Sequence, residues 1–313
     1  MRLFLESFNR PMLVLASLTC VMFLLILPSL TSAQMSPSGF WAATVADRYQ
    51  VTPNVVYTTV GSWEGKLDLY LPVNSKKKNT TLIWIHGGGW TQSSKEQEML
   101  YILPYLEMGW AVVNVEYRLA SVALAPAAVK DCRCALRWVK ANAEKYKLDP
   151  DKLVVSGISA GGHLALMTGM LPGTAGFDGN CVEIEKDVKV AAIINWFGPS
   201  SMYDLIQGAY TLDQAVAWFG NQPNRDILAM NISPLTYTMP GLPPIITIHG
   251  DRDELIPYSQ SVKFHRALTG YKVPNQLVTI RGRGHGDFKP AEWLTAYAAI
   301  RAFLVKNGVM ARG

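Results

Sequence analysis

The sequence predicts an α/β protein: a mostly parallel sheet of eight strands, helices on both faces, and a helical insertion over the candidate site. Two observations carry this. Eight short runs rich in β-branched and apolar residues alternate with stretches of helical periodicity, and strands that alternate with helices build parallel sheets covered on both sides. The first two runs are the exception, because only Gly61-Ser62-Trp63-Glu64-Gly65 separates them; that is short enough for a hairpin, so the sheet starts antiparallel. The size agrees: 313 residues, 49% hydrophobic and 17% charged, bury a sizeable core, which excludes wholesale disorder and collagen-like repeats.

Residues 1–33 stand apart from this pattern. Arg2 and Arg10 precede an apolar run from Met12 to Leu27, followed by Pro28 and Thr31-Ser32-Ala33. A basic start, an apolar middle and small residues at the end are the layout of a secretory signal, so cleavage is expected after Ala33 and the mature domain spans 34–313, secreted or periplasmic. The alternative is a retained membrane anchor, since Met12 to Leu30 is nearly long enough to span a bilayer; a helix breaker followed by small residues suits cleavage better. Lipidation of Cys20 is disfavoured by its place inside the apolar run. Removing Arg2, Arg10 and Glu6 takes the net charge from +5 to +4, and no basic block with interleaved aromatics remains, so no nucleic-acid partner is expected. Once the signal is gone, no stable membrane partner is expected either. Nothing in the sequence fixes the oligomeric state.

The strands are expected at Val55–Val60, Lys66–Leu71, Thr81–Ile85, Ala111–Tyr117, Leu153–Val155, Val190–Trp196, Pro244–Ile248 and Gln276–Ile280. Helical periodicity marks a stripe of Val129, Cys132, Leu136 and Val139, a stretch after Ser159, another from Pro257 to Leu268, and a last one with Trp293, Tyr297, Ile300 and Leu304 on one face. The interval from Gly198 to Leu242 is too long for a plain connection and is read as the helical insertion. An oxidising compartment permits a disulfide among Cys132, Cys134 and Cys181. Cys134 sits about 200° round the helix from Cys132, so those two do not bridge each other, and at most one of them pairs with Cys181. No Cys or His cluster has the spacing of a zinc site, and no cofactor is implied.

Chemistry is carried by three motifs at expected strand ends, where open α/β sheets place their sites. Gly157-Ile158-Ser159-Ala160-Gly161 lies between a strand and a helix and fits the nucleophile elbow GxSxG, in which a strained serine needs small neighbours and a helix N-terminus faces developing negative charge. His86-Gly87-Gly88-Gly89-Trp90 follows the third strand, and consecutive glycines free the backbone to turn N–H groups toward an oxyanion; the donors are assigned to Gly88, Gly89 and Ala160. The serine needs a base. Of the five histidines, His86 and His249 sit at strand ends with structural hydrogen bonds, and His163 and His265 fall within helices. His285 lies in a Gly-rich loop after the last strand and is the candidate base. The third partner comes from His249-Gly250-Asp251-Arg252-Asp253, and the order Ser159, Asp253, His285 is that of the Ser, Asp, His triads on strand–turn–helix elbows.

Over nearly the whole mature chain the sequence resembles the α/β-hydrolase carboxylesterases related to hormone-sensitive lipase, especially secreted bacterial bifunctional feruloyl and acetyl xylan esterases. The resemblance rests on HGGGW at His86–Trp90, VEYRLA at Val115–Ala120, VSGISAGGHLAL at Val155–Leu166, SPLTY at Ser233–Tyr237, HGDRDELIP at His249–Pro257 and GHGDF at Gly284–Phe288. It implies Ser159 as nucleophile, Asp253 as acid partner and His285 as base, with Asp251 left as the structural turn residue. The chain departs from that pattern at Gly198-Pro199-Ser200-Ser201, where a Gly-x-x-Asp turn is expected.

The expected activity is hydrolysis of short-chain acyl or aryl esters, of acetyl or feruloyl type, through an acyl-enzyme; the partner is a small-molecule or polysaccharide-linked ester. Arylformamidase-like or peptidase-like amide hydrolysis on the same machinery is the first rival, and a catalytically silent binding module is the second. Dead relatives lose a triad member, and none is missing. Trp90, Ile158 and Trp196 are candidate pocket residues. Tyr203, Tyr210, Trp218 and Phe219 are weaker ones, because aromatics in an insertion over a core more often pack.

Overall fold

The structure is a computed structural model and describes residues 36–179, 181–182 and 188–311. The expected signal segment, with Cys20, lies outside the described residues. Contacts divide the chain into residues 1–44 and 45–313. Helix α1 (Pro37–Arg48) starts in the first unit; the sheet and the site belong to the second.

Eight strands form one sheet: β1 (Tyr49–Val60), β2 (Trp63–Pro72), β3 (Asn79–Ile85), β4 (Ala111–Val115), β5 (Leu148–Ile158), β6 (Ala192–Trp196), β7 (Ile245–Gly250) and β8 (Asn275–Ile280). Their order is β1-β2-β4-β3-β5-β6-β7-β8, antiparallel between β1 and β2 and between β2 and β4, parallel thereafter. This is the α/β-hydrolase fold. Side chains alternate with the two-residue period of a strand. Ile83, Val113, Val155, Ile193 and Ile245 enter one core, with α3 (Ala127–Ala141), α4 (Ala160–Met170) and α8 (Tyr258–Gly270). Leu82, Trp84, Val112, Val154, Ile194 and Ile246 enter the other, with α2 (Leu103–Glu107) and α9 (Pro290–Lys306). Both faces are therefore apolar, which is why the central strands read as near-continuous hydrophobic runs.

The first hairpin differs from its expected bounds. β1 begins at Tyr49, ahead of Pro53-Asn54, because an edge strand tolerates a proline and absorbs Asn54, at φ 57°, in a register shift between Thr52 and Val55. The five-residue loop is a two-residue turn, Gly61-Ser62: β2 starts at Trp63, whose ring meets Tyr57 edge-on at 6.5 Å.

The interval from Gly198 to Leu242 carries three short helices, α5 (Tyr203–Ile206), α6 (Asp213–Phe219) and α7 (Arg225–Asn231). Its unusual start is held by Gln260 of α8, whose Oε1 accepts the N–H groups of Ser200 and Ser201 at 3.0 and 2.9 Å while its Nε2 donates to the Ser201 carbonyl at 3.1 Å. The side chain does from a distance what an aspartate turn does locally.

Cys134 pairs with Cys181, and Cys132 is a buried free thiol on the sheet side of α3. The neighbouring Arg133 is also buried. It donates to both carboxylate oxygens of Asp178 at 2.7 and 2.6 Å and to the Thr168 and Leu171 carbonyls, each at 3.0 Å, so all three of its nitrogens are used. Disulfide and arginine together tie the segment after α4 to α3. Among the described residues no helix is long and apolar enough to cross a membrane.

Candidate active site

β5 runs straight into α4, and Ser159 is the single residue between them, at φ 52° and ψ −120°. A side chain rarely takes that backbone, at a cost of about 1–3 kcal/mol, and it persists only where neighbours hold it. The Ser159 N–H donates to the Trp196 carbonyl at 2.9 Å, and the His163 N–H to the Ser159 carbonyl at 3.1 Å. Gly161 lets α4 approach β3: a Cβ there would lie 2.1 Å from the Ile85 carbonyl oxygen. The Ala160 N–H is then the first of the helix and has no intrahelical acceptor.

The structure brings the three distant residues together. Ser159 Oγ lies 2.8 Å from His285 Nε2, and His285 Nδ1 lies 2.7 Å from Asp253 Oδ2. Among the described residues no other histidine ring bonds to the Ser159 hydroxyl. Asp253 Oδ1 accepts the N–H groups of Leu255 and Ile256 at 2.9 and 2.8 Å, and Oδ2 also meets His249 Nε2 at 3.0 Å. Burial alone would raise this carboxyl, but hydrogen bonds from His249 and His285, the imidazole charge and the Ile256 N–H hold it well below the usual carboxylate range. It is a permanent anion beneath the imidazole. Asp251 instead accepts the Gly282 N–H at 2.6 Å, tying the turn after β7 to the turn after β8.

Gly88 stands at φ 95° and Gly89 at φ 59°, and a Cβ on Gly88 would meet the Gln92 carbonyl oxygen at 2.1 Å. Among the described residues, nothing accepts the N–H of either glycine. The loop's base is fixed by residues that the sequence reading missed. The Gly87 N–H donates to buried Glu98 Oε1 at 2.8 Å, and the Tyr117 hydroxyl donates to the Gly87 carbonyl at 3.0 Å. Burial pushes the Glu98 carboxyl up to about 7, opposed by the Gly87 N–H, His86 and Trp84. No local pattern marks Glu98, eleven residues downstream of its partner.

A cleft of about 290 Å³ opens beside Ser159, lined by Gly87–Gly89, Tyr101, Ile158, Phe197, Leu212, Gln214, Leu255 and His285 among others. Ile158 is in its wall, as expected. Trp90 and Trp196 are not, and that expectation is corrected: both are buried in the core. Trp90, at φ 60°, turns inward to stack on Trp218 at 4.9 Å, and its Nε1–H donates to His163 Nδ1 at 3.3 Å. Trp196 packs against Trp293 and Tyr297. Trp218 and Phe219 are likewise core, Tyr203 and Tyr210 face solvent, and the insertion gives the cleft Leu212 and Gln214 instead. Among the described residues no group of three or more His, Cys, Asp or Glu is placed to hold a metal.

The BD-FAE family pattern matches residues 67–268, well over half of the chain, including Ser159 and Asp253 and ending before His285. The chain belongs to the BD-FAE family. Similar to this member are a probable carboxylic ester hydrolase, LipM, of Mycobacterium tuberculosis, 31% identical over 58% of this chain and 43% of its own, and esterase LipQ of the same organism, 26% identical over 71% and 53%. The chain thus spans about half the length of the curated relatives it matches. Among solved structures, a truncated carbohydrate esterase from gut microbiota aligns with TM-score 0.73 and 26% identity over 84% of this chain and 98% of that one. A thermophilic esterase of the Planctomycetes species Thermogutta terrifontis, solved with propionate bound, aligns with TM-score 0.69 and 25% identity over 85% and 97%; it was also solved with butyrate bound.

Two titrating groups brace the BD-FAE chain's glycine loop, and their signs oppose. Burial lowers His163 to about 4, only partly offset by its bond to the Ile232 carbonyl. A histidine so depressed binds its proton in the unfolded chain first, so its stabilisation is complete above about pH 6.5 and is lost as pH falls toward 4. Glu98, raised to about 7, contributes fully below about pH 4.5 and loses that contribution as pH rises through 7. From pH 7 to pH 5, the stability of wild type relative to His163→Gln should fall by about 2 kcal/mol, while relative to Glu98→Gln it should rise by about as much. Urea unfolding of the three proteins at both pH values measures this; slopes of the same sign would refute it.

Proposed function

We propose that the chain is a serine carboxylic ester hydrolase. The observation that supports it most is the unbroken run from Ser159 Oγ through His285 to Asp253, beneath the unclaimed N–H groups of Gly88 and Gly89. In this reading His285 Nε2 takes the Ser159 proton as Oγ attacks an ester carbonyl. Asp253 stabilises the imidazolium, and the N–H groups of Gly88, Gly89 and Ala160 receive the oxyanion. His285 then protonates the departing alcohol, and the imidazole activates a water that releases the acid from the acyl-enzyme.

The substrate we infer has a small acyl or aryl acid, of acetyl or feruloyl type, free or on a polysaccharide. The modest cleft rimmed by Leu212 and Leu255, the propionate and butyrate held by one structural neighbour and the carbohydrate-esterase name of another support it. The insertion's helices, of 4, 7 and 7 residues, are too short to form a lipase-like apolar lid. Export through residues 1–33 is proposed on their sequence, and the Cys134–Cys181 pair suits an oxidising compartment.

Ser159→Ala should lower kcat by at least about 10⁴-fold without unfolding the protein. Asp253→Asn should lower it about 10⁴-fold through the wrong imidazole tautomer, whereas Asp251→Asn should mainly remove about 1 kcal/mol of stability. The reverse ranking of the two aspartates would reassign the acid. Across nitrophenyl esters, specific activity should fall steeply beyond roughly six to eight acyl carbons; a maximum on long chains, or activation by an emulsified interface, would contradict a small-ester enzyme. N-terminal sequencing of exported protein should begin at Gln34, and a mature chain that keeps the apolar run would be anchored instead.

A further inference from the structure

Asp253 serves two imidazoles, and the second belongs to His249, buried at the end of β7. Its Nε2 lies 3.0 Å from Asp253 Oδ2 and 3.1 Å from the Ile256 carbonyl oxygen, and its Nδ1 lies 2.7 Å from Ser261 Oγ on α8. A carbonyl only accepts, so Nε2 carries the hydrogen; in the neutral ring Nδ1 is then the acceptor and the Ser261 hydroxyl donates to it. Tyr258 closes the ring's other side, edge-on at 5.6 Å. One chain of hydrogen bonds therefore runs from Ser261 through His249, Asp253 and His285 to Ser159.

We propose that His249 is a positioning residue for the reaction, holding Asp253 Oδ2 on the line to His285 Nδ1. This rests on the esterase reading of the site. The terminal torsion of an aspartate is broad, and a carboxylate that bonds only one imidazole can swing with it. Here the two N–H groups converge on the same oxygen while two backbone N–H groups hold the other, so a rotation that weakens the bond to His285 must also break the one to His249. A histidine at a strand end needs no carboxylate for its own satisfaction, because Ile256 and Ser261 already supply an acceptor and a donor. Its bond to Asp253 Oδ2 is the part that bears on the imidazole in the site. Ser261 in turn fixes the His249 ring from a different element, α8, so the ring's orientation does not depend on the His285 loop.

The test is steady-state kinetics of the full chain on a soluble acetyl ester. His249→Phe keeps the ring's bulk and removes the donor; kcat should fall about 10- to 100-fold, the loss of one hydrogen bond to a charged group, with KM within about twofold. His249→Gln places an amide N–H near the position of Nε2 and should restore most of the loss, which a merely structural role would not require. Ser261→Ala should lower kcat several-fold at unchanged KM. A folded His249→Phe with wild-type kcat, a His249→Gln as impaired as His249→Phe, or a loss carried by KM would overturn the proposal. If His249→Phe does not fold, Ser261→Ala decides, and wild-type kcat there overturns it. Ser159→Ala is measured alongside: activity in that variant would sink the esterase reading itself, whereas an inactive Ser159→Ala beside unimpaired His249 variants would sink only the role of His249.

Discussion

The strand–serine–helix turn at Ser159 is the constraint on which the remaining structure depends. To hold a side chain at φ 52° and ψ −120°, β5 and α4 must meet within one residue, and the backbones of β3, β6 and the insertion's first residues must close on that point. The consequences are steric and concrete. A Cβ at Gly157 would lie 2.4 Å from the Ile85 carbonyl oxygen, and one at Gly198 would lie 2.4 Å from the His163 nitrogen. The strain of a few kcal/mol is offset by that packing, since nothing in the surrounding core can shift without losing contacts. In return the hydroxyl stands free of the sheet, within reach of a loop that arrives from more than a hundred residues away.

Segments without regular structure are held by a few buried polar groups. Asp253 is surrounded by donors on both oxygens, Arg133 has acceptors at all three of its nitrogens, and Gly87 is held by Glu98 and Tyr117. Buried charge is tolerated where it is paired, and each of these groups fixes a segment that carries no regular structure of its own. The glycine loop shows the principle most plainly. Its backbone conformation is what glycine allows, and its shape is fixed by the Glu98 carboxyl and the Tyr117 phenol from two other parts of the chain and by its own inward-turned Trp90.

The insertion between β6 and β7 divides its residues between support and cleft. Trp218 stacks on Trp90 and so braces the glycine loop from above, while Leu212 and Gln214 reach the space beside Ser159. Gln214 lies against Gly89, where a Cβ on the glycine would come within 2.8 Å of its own Cβ. Changes in this short stretch can alter the cleft without touching the strands that hold the serine. That separation of scaffold from cleft is what lets one fold carry different sites.

The sequence by itself determined whatever depends on neighbours along the chain. Runs of apolar and β-branched residues and helical periodicity located all eight strands and the main helices, because burial leaves a local trace in the sequence. The glycines at 157 and 161 marked the elbow, because backbone strain is relieved by local residue choice. The motifs were short enough to place Ser159, Asp253 and His285 at the same sheet edge before any contact was known. Tertiary structure alone decided whatever depends on which way a side chain turns and what it meets. Trp90 and Trp196 look like pocket walls in sequence and are core, because a positive φ and the packing of α6 and α9 point them inward. The choice of Cys134 over Cys132 as the partner of Cys181, the hold of Gln260 on Ser200 and Ser201, Glu98 beneath Gly87 and His249 on Asp253 all arise in the folded chain's geometry. Local periodicity says which face of an element is apolar; it carries no information about which distant polar atom will stand within 3 Å of another, because that distance is set by the packing of every element between them.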